Sequence, residues 1–198
     1  IQLKHDAGLI SLQAITPNIF HIRATLKDHF TDVASLAVLP LAAAEIPCSF
    51  SESASALVFS TAELVLVIDR ETSAFTWKDT AGKPLLRQPA DAGIELKEIQ
   101  VANSGQPPTR QSRPAISAKV AFQFSRGEAI YGLGQHEEGI LNYRGHTQYL
   151  YQNNMKIAMP VLVSSRGWGM FFDSYSLGVF PDDDPGSYYL CDTEDELD

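Results

Sequence analysis

The chain has 198 residues, 44% hydrophobic and 20% charged, which suits a globular domain with a sizeable core rather than a disordered segment. Its formal net charge of −9 opposes nucleic acid and anionic membrane surfaces as partners. No apolar run reaches the roughly 18 residues of a membrane span, so neither nucleic-acid binding nor a span is expected.

The N-terminus, Ile1-Gln2-Leu3-Lys4, has no basic-then-apolar leader and no initial Met. Processing or truncation is therefore expected, and cytoplasmic, periplasmic and secreted locations stay open. Strand signals then follow in order. Leu9–Ile15 is a first strand, closed by the turn Thr16-Pro17-Asn18. Phe20, Ile22, Ala24 and Leu26 alternate with His21, Arg23 and Thr25, which gives an extended segment with one apolar face. Val33–Leu39 and Ala56–Ser60 are further strand candidates; between them, Leu39–Ile46 has helical character and is bracketed by Pro40 and Pro47. Leu64 to Ile68 is a continuous apolar run, as expected of a strand covered on both faces.

Asp79–Pro84, with Gly82 inside it, predicts a hairpin between strand Phe75–Trp77 and Leu85. Ile94–Ile99 precedes an exposed loop at Ser104–Pro108. Ile116, Ala118, Val120, Phe122 and Phe124 then alternate with Ser117, Lys119, Ala121 and Gln123. His146–Tyr151, Pro160–Val163, Gly169–Phe172 and Ser187–Leu190 complete the set. Many short strands separated by turns, with no fixed repeat, predict an all-β sandwich that is mostly antiparallel with little helix. Pro181–Gly186 reads as a polar turn and Asp192–Asp198 as an acidic end. The stop after Leu197, with no closing element, is expected to be a boundary inside a longer protein. Cys48 and Cys191 are too few for a disulfide framework and are expected as unpaired thiols.

Catalytic patterns are scarce. His5, His21, His29, His136 and His146 form no metal-binding pair, and the acidic turn lacks EF-hand spacing, so no metal or cofactor is expected. Ser164-Ser165 lacks a nucleophile elbow. Gly132-Leu133-Gly134 has no βαβ unit around it and reads instead as positive-φ backbone after a strand. Glu137 and Glu138 are adjacent, so on a strand they would face opposite ways. His136 with either of them is the one nearby set for an aldose-epimerase-like acid and base. Arg144 is expected to tie down loop carbonyls, and Gly167-Trp168-Gly169 to form a hairpin tip.

Five linked segments carry more. They are Tyr131-Gly132-Leu133-Gly134-Gln135, Leu141-Asn142-Tyr143-Arg144-Gly145, the Asn-containing loop Tyr151–Asn154, Pro160–Ser164, and Arg166–Asp173 ending in Phe172-Asp173. In this order they resemble the end of the N-terminal domain of family 31 glycoside hydrolases, of the α-xylosidase and α-glucosidase type. Weaker similarity runs back through Phe30-Thr31-Asp32, Ser35–Pro40 and Phe75–Leu86, while Glu98–Arg113 matches nothing nameable.

The resemblance implies a galactose-mutarotase-like β-sandwich over residues 1–180, with 181–198 as an acidic turn starting the connection to a (β/α)8 barrel. In such enzymes the barrel carries both catalytic aspartates for retaining cleavage, one in a W-x-D-M-N-E-like segment. This chain has no such segment, so no catalytic residue is expected in it. The implied partners are a carbohydrate substrate and the chain's own barrel in cis. The sandwich is expected to lend one loop to the pocket, here Tyr151, Gln152, Asn153, Asn154 and Lys156, where many relatives have a Trp and an Asp. Tyr151 would offer a ring face and the amides hydrogen bonds to a sugar. An apolar surface patch near Tyr151 and Trp168 is expected where the barrel packs. The alternatives are a free-standing carbohydrate-binding module and the epimerase-like enzyme.

Overall fold

The computed structural model describes residues 1–5, 8–39, 45–102, 112–184 and 186–198, and every regular element among them is a strand. Strands β1 (Gln2–His5), β2 (Gly8–Thr16) and β3 (Ile19–Thr25) form an antiparallel sheet in chain order. A second sheet is the meander β4 (Ser49–Glu52), β5 (Ala56–Ser60), β6 (Leu64–Asp69), β7 (Phe75–Asp79) and β8 (Pro84–Arg87). Leu66 and Ile68 of β6 are buried, and its other residues are half-buried between two neighbouring strands. The β7–β8 hairpin closes on Asp79, whose carboxylate accepts Lys83 N at 2.8 Å, with Gly82 at φ +82.

Two long strands, β9 (Ile94–Ala102) and β10 (Ser112–Phe122), pair along the whole of β9, so Glu98–Ala102 and Ser112–Arg113 are strand residues, and 103–111 lie outside the described residues. Next come β11 (Ile130–Gln135), β12 (Gln148–Leu150), β13 (Ile157–Ser164), β14 (Gly169–Phe171), β15 (Gly178–Phe180), β16 (Asp182–Asp183) and β17 (Gly186–Glu194). The six-stranded sheet runs β12-β15-β17-β10-β9 with β16 attached to β17, and β11-β13-β14 is a separate sheet. One buried cluster draws Leu12, Leu66, Val120, Leu133, Leu162 and Tyr189 from all four sheets. Ile116, Ala118, Val120 and Phe122 of β10 are buried, as the alternation predicts. This is the all-β sandwich.

Three expectations change. Val33–Leu39 is not a strand, and Leu36 is 86% exposed. The hydroxyl of Ser35 accepts both Ala37 N and Val38 N, which turns the backbone before it can find a partner strand. Of the helical stretch Leu39–Ile46, residues 40–44 lie outside the described residues, and Leu39, Glu45 and Ile46 are not helical. Ser104–Pro108 also lies outside them. Finally, much of 181–198 belongs to the sandwich, because β17 sits between β10 and β15. The acidic end is stapled down as well. Ala24 and Leu197 exchange backbone hydrogen bonds of 2.8 and 2.9 Å, Arg23 pairs with Glu196, and His21 meets Asp198 at 2.5 Å.

Strand β11 carries the backbone feature that shapes the site. Gly132, Leu133 and Gly134 all have positive φ, and the register against β13 shifts between the two glycines. A Cβ on Gly134 would lie 1.9 Å from the Ile157 carbonyl oxygen, so only glycine lets the strands approach this closely. Gly134→Ala is expected to cost at least about 3 kcal/mol, combining φ strain with the overlap. Urea denaturation of the variant beside the parent checks this.

Candidate functional site

The loop between β12 and β13 gathers all five residues expected to meet a sugar. It is a tight, internally bonded turn. Lys156 N donates to Asn153 O at 3.0 Å, and Gln152 Nε2 donates to Lys156 O at 2.6 Å. Asn153 Oδ1 accepts Asn154 N at 2.8 Å. Lys156 turns back into the protein, where its ammonium pairs with Glu138 and lies 5.7 Å from the Tyr151 ring centroid. Its side chain is only 11% exposed. The bond from Lys156 holds the Glu138 carboxyl below its ordinary range, and the same bond raises the Lys156 ammonium. Three of the expected hydrogen-bonding groups, Gln152 Nε2, Asn153 Oδ1 and the Lys156 ammonium, are thus engaged within the protein. Among the described residues, the Asn154 side chain has no hydrogen-bond partner. Tyr151 is exposed, and so is Met155, at 68%, which holds φ +60 at the tip.

The acid–base set proposed for an epimerase is occupied otherwise. His136 Nε2 lies 2.7 Å from the Leu133 carbonyl, so it carries the proton, and Nδ1 accepts from Gln148 Nε2 at 3.1 Å. Neither ring nitrogen is left for a substrate, and Glu138 is committed to Lys156. Among the described residues, no group of three or more His, Cys, Asp or Glu side chains could hold a metal. Both cysteines are free; Cys48 is exposed, while burial pushes the Cys191 thiol up to about 12 and leaves it a core residue.

Two carboxylates that the sequence reading did not single out fix the surroundings. Asp182 Oδ2 accepts Arg144 Nε at 2.7 Å and Gly145 N at 2.6 Å, while Ser187 donates to its Oδ1. Arg144 also reaches the Glu128 carbonyl at 3.2 Å and covers the Phe124 ring, so it does tie down a loop carbonyl. Glu128 accepts Trp168 Nε1 at 2.8 Å, Ser164 Oγ at 2.5 Å and Ser125 N at 2.7 Å. Trp168 at the β13–β14 hairpin therefore points inward and stacks on Phe124. The signal for Asp182 was Arg144, a fork that demands a planar acceptor; nothing local marked which acid would supply it.

One contiguous exposed apolar surface is the outer face of β11-β13-β14. Ile157, Met159, Val161 and Val163 alternate outward along β13, Phe171 lies opposite Val161, and Tyr131 lies opposite Val163. A shallow groove of about 410 Å³ runs along it, floored by Gly132 and Gly134 and walled by Ile157, Met159 and Val161. The loop 151–156 leads directly into this face.

Such a sandwich, with a bulged β11 and a pinned loop before β13, is of the galactose-mutarotase-like class. The chain matches the glycosyl hydrolase 31 N-terminal galactose mutarotase-like domain over residues 9–180, and it belongs to that family. An α-xylosidase of Saccharolobus solfataricus is 44% identical over 66 residues, covering 29% of this chain and 9% of the relative. The crystal structure of the GH31 α-xylosidase of Xanthomonas citri superposes with a TM-score of 0.77 at 25% identity, covering 91% of this chain and 19% of that one. A soil-metagenome GH31 α-xylosidase complexed with xylose shares the fold with a TM-score of 0.81 at 20% identity, over 99% of this chain and 30% of that one. The chain thus spans less than a third of the length of each of these relatives.

The Asp182 cluster makes a pH prediction. Burial alone pushes the Asp182 carboxyl up, but the bonds from Ser187, Arg144 and Gly145 outweigh it and hold the group below its ordinary value. A lowered folded value means that its stabilisation is complete above the unfolded pKa of about 3.9 and is lost as pH falls through the folded value. Asp182→Asn is expected to cost roughly 2 kcal/mol near neutrality, discounted because Arg144 is partly exposed. Urea midpoints of parent and variant should converge as the pH falls below the ordinary carboxylate range and through the lowered folded value.

Proposed function

We propose that this chain is the non-catalytic N-terminal domain of an α-glycoside hydrolase that cleaves α-xylosides or α-glucosides with retention. In this reading a catalytic barrel in the same polypeptide covers the outer face of β11-β13-β14, and the loop 151–156 borders its substrate pocket. The sandwich would comprise residues 1–180 together with β17, which narrows the connection to Asp195–Asp198. The observation that carries the reading is the adjacency of that apolar face and that loop. A monomer does not ordinarily leave a row of Ile, Met, Val and Phe in water, and a partner laid on this face would bring its edge to Tyr151.

Retaining hydrolysis needs two carboxyl groups about 5–5.5 Å apart, one attacking the anomeric carbon and one exchanging a proton with the leaving oxygen. Here the strongest carboxylates serve the fold: Glu128 and Asp182 are saturated with donors, and Glu138 holds Lys156. What the domain would supply is binding. Tyr151 presents a ring face to the C–H surface of a sugar, and Asn154 has an amide to offer its hydroxyls.

Three outcomes are expected. The 198-residue chain should not hydrolyse para-nitrophenyl α-xyloside or α-glucoside; turnover by it would overturn the reading. In the full-length polypeptide, Tyr151→Ala should raise KM about tenfold, the worth of one stacked aromatic contact. Val163→Glu should lower the melting temperature of the full-length protein while leaving the isolated chain, where Val163 is 45% exposed, nearly unchanged. Equal effects in both would exclude this face as the interface.

A further inference from the structure

We propose that Glu138, which lies outside the loop, is a positioning residue for substrate recognition and acts through Lys156. The inference rests on the reading that loop 151–156 meets the sugar, and it changes which side chains do the meeting.

Lys156 is the pin of the loop. Its N–H donates to Asn153 O, its carbonyl accepts the Gln152 amide, and its ammonium lies over the Tyr151 ring and pairs with Glu138. Glu138 is itself held in place. It sits in the turn after β11, where His136 is locked to Leu133 O and to Gln148 of β12, so the carboxylate is presented from a framed backbone. At 41% exposure the Glu138 side chain is reachable by solvent, whereas the Lys156 side chain it pairs with is only 11% exposed. Removing the carboxylate would leave the ammonium without its ion-pair partner. The side chain would then swing out to water, and the ring face of Tyr151 would lose its backing.

A specificity consequence follows. Gln152 Nε2 is spent inside the loop and Lys156 on Glu138, so the outward surface is Tyr151 and Met155 beside the exposed amides of Asn153 and Asn154. The Tyr151 ring would meet the apolar C–H face of a sugar or aglycone, with those amides beside it for hydroxyls. The Met155 tip, held at positive φ, adds a flexible thioether contact beside the ring.

The experiment is a double-mutant cycle in the full-length polypeptide, with para-nitrophenyl α-xyloside as substrate and kcat and KM read separately. Glu138→Gln is expected to raise KM roughly three- to tenfold, the coupling typical of contacting residues, with kcat changed less than about twofold. In a Tyr151→Ala background the same change should leave KM unaltered, because its effect runs through the ring. Lys156→Met keeps the apolar stem without the charge and should reproduce the rise, and Glu138→Asp should restore part of the loss. Should Glu138→Gln destabilise the protein, Lys156→Met carries the same comparison. A Glu138→Gln rise that persists in the Tyr151→Ala background would overturn the proposal. Tyr151→Ala raising KM while Glu138→Gln does not would overturn the positioning role alone. A parental KM for Tyr151→Ala would overturn both this proposal and the reading beneath it.

Discussion

One buried carboxylate, Asp182, holds the long connection between β11 and β12 in shape. That connection has no ladder of its own, and its backbone must be satisfied by something else. Asp182 meets the Arg144 guanidinium and Gly145 N, its own N–H donates to His146 O, and Arg144 in turn holds the Glu128 carbonyl. The connection is thereby fastened to β16 and to the turn before β11. Because β12 follows directly, the position of loop 151–156 is inherited from this cluster. Removing the acid would leave a half-buried guanidinium facing a hydroxyl and a carbonyl, so the cost is desolvation as well as a lost bond.

The same logic explains why the exposed loop is shaped by internal bonds. Loops that present a binding surface are most exact when their polar groups are already committed, since less freedom is lost on contact. In this loop Gln152 Nε2, Asn153 Oδ1 and Lys156 hold the frame, while an aromatic, a thioether and the Asn154 amide face outward. Beside it, the apolar face of β13 alternates without a break from Ile157 to Val163. One strand therefore links loop 151–156 to the exposed apolar face.

Much of this was legible in the chain. The alternation along Ile116–Phe122 and Phe20–Ala24 identified strands because each has a buried face and a partner. Arg144 announced a clamp through its chemistry. Val33–Leu39 failed for a physical reason: it has strand-forming residues, but a serine side chain captures two of its amides and no strand among the described residues pairs with it. Gly167-Trp168-Gly169 was readable as a hairpin tip, but hairpin sequence cannot report which way an indole turns; Glu128, forty residues away, decides that. That residues 151–156 form a turn between two strands was readable from the sequence, but the bonding within it depends on Glu138, eighteen residues from Lys156.

The staple between Ala24 and Leu197 has a kinetic consequence. Arg23 and Glu196, which flank it, are 173 residues apart. During synthesis β3 therefore waits for its outer neighbour until nearly the whole of this chain has left the ribosome. Contacts of such long sequence separation slow folding, since loop closure must precede any reward. An incompletely made chain would carry β3 with an open edge, the kind of surface that chaperones shield. The bridge on the outer edge of β3 thus forms only after residues far downstream have been made.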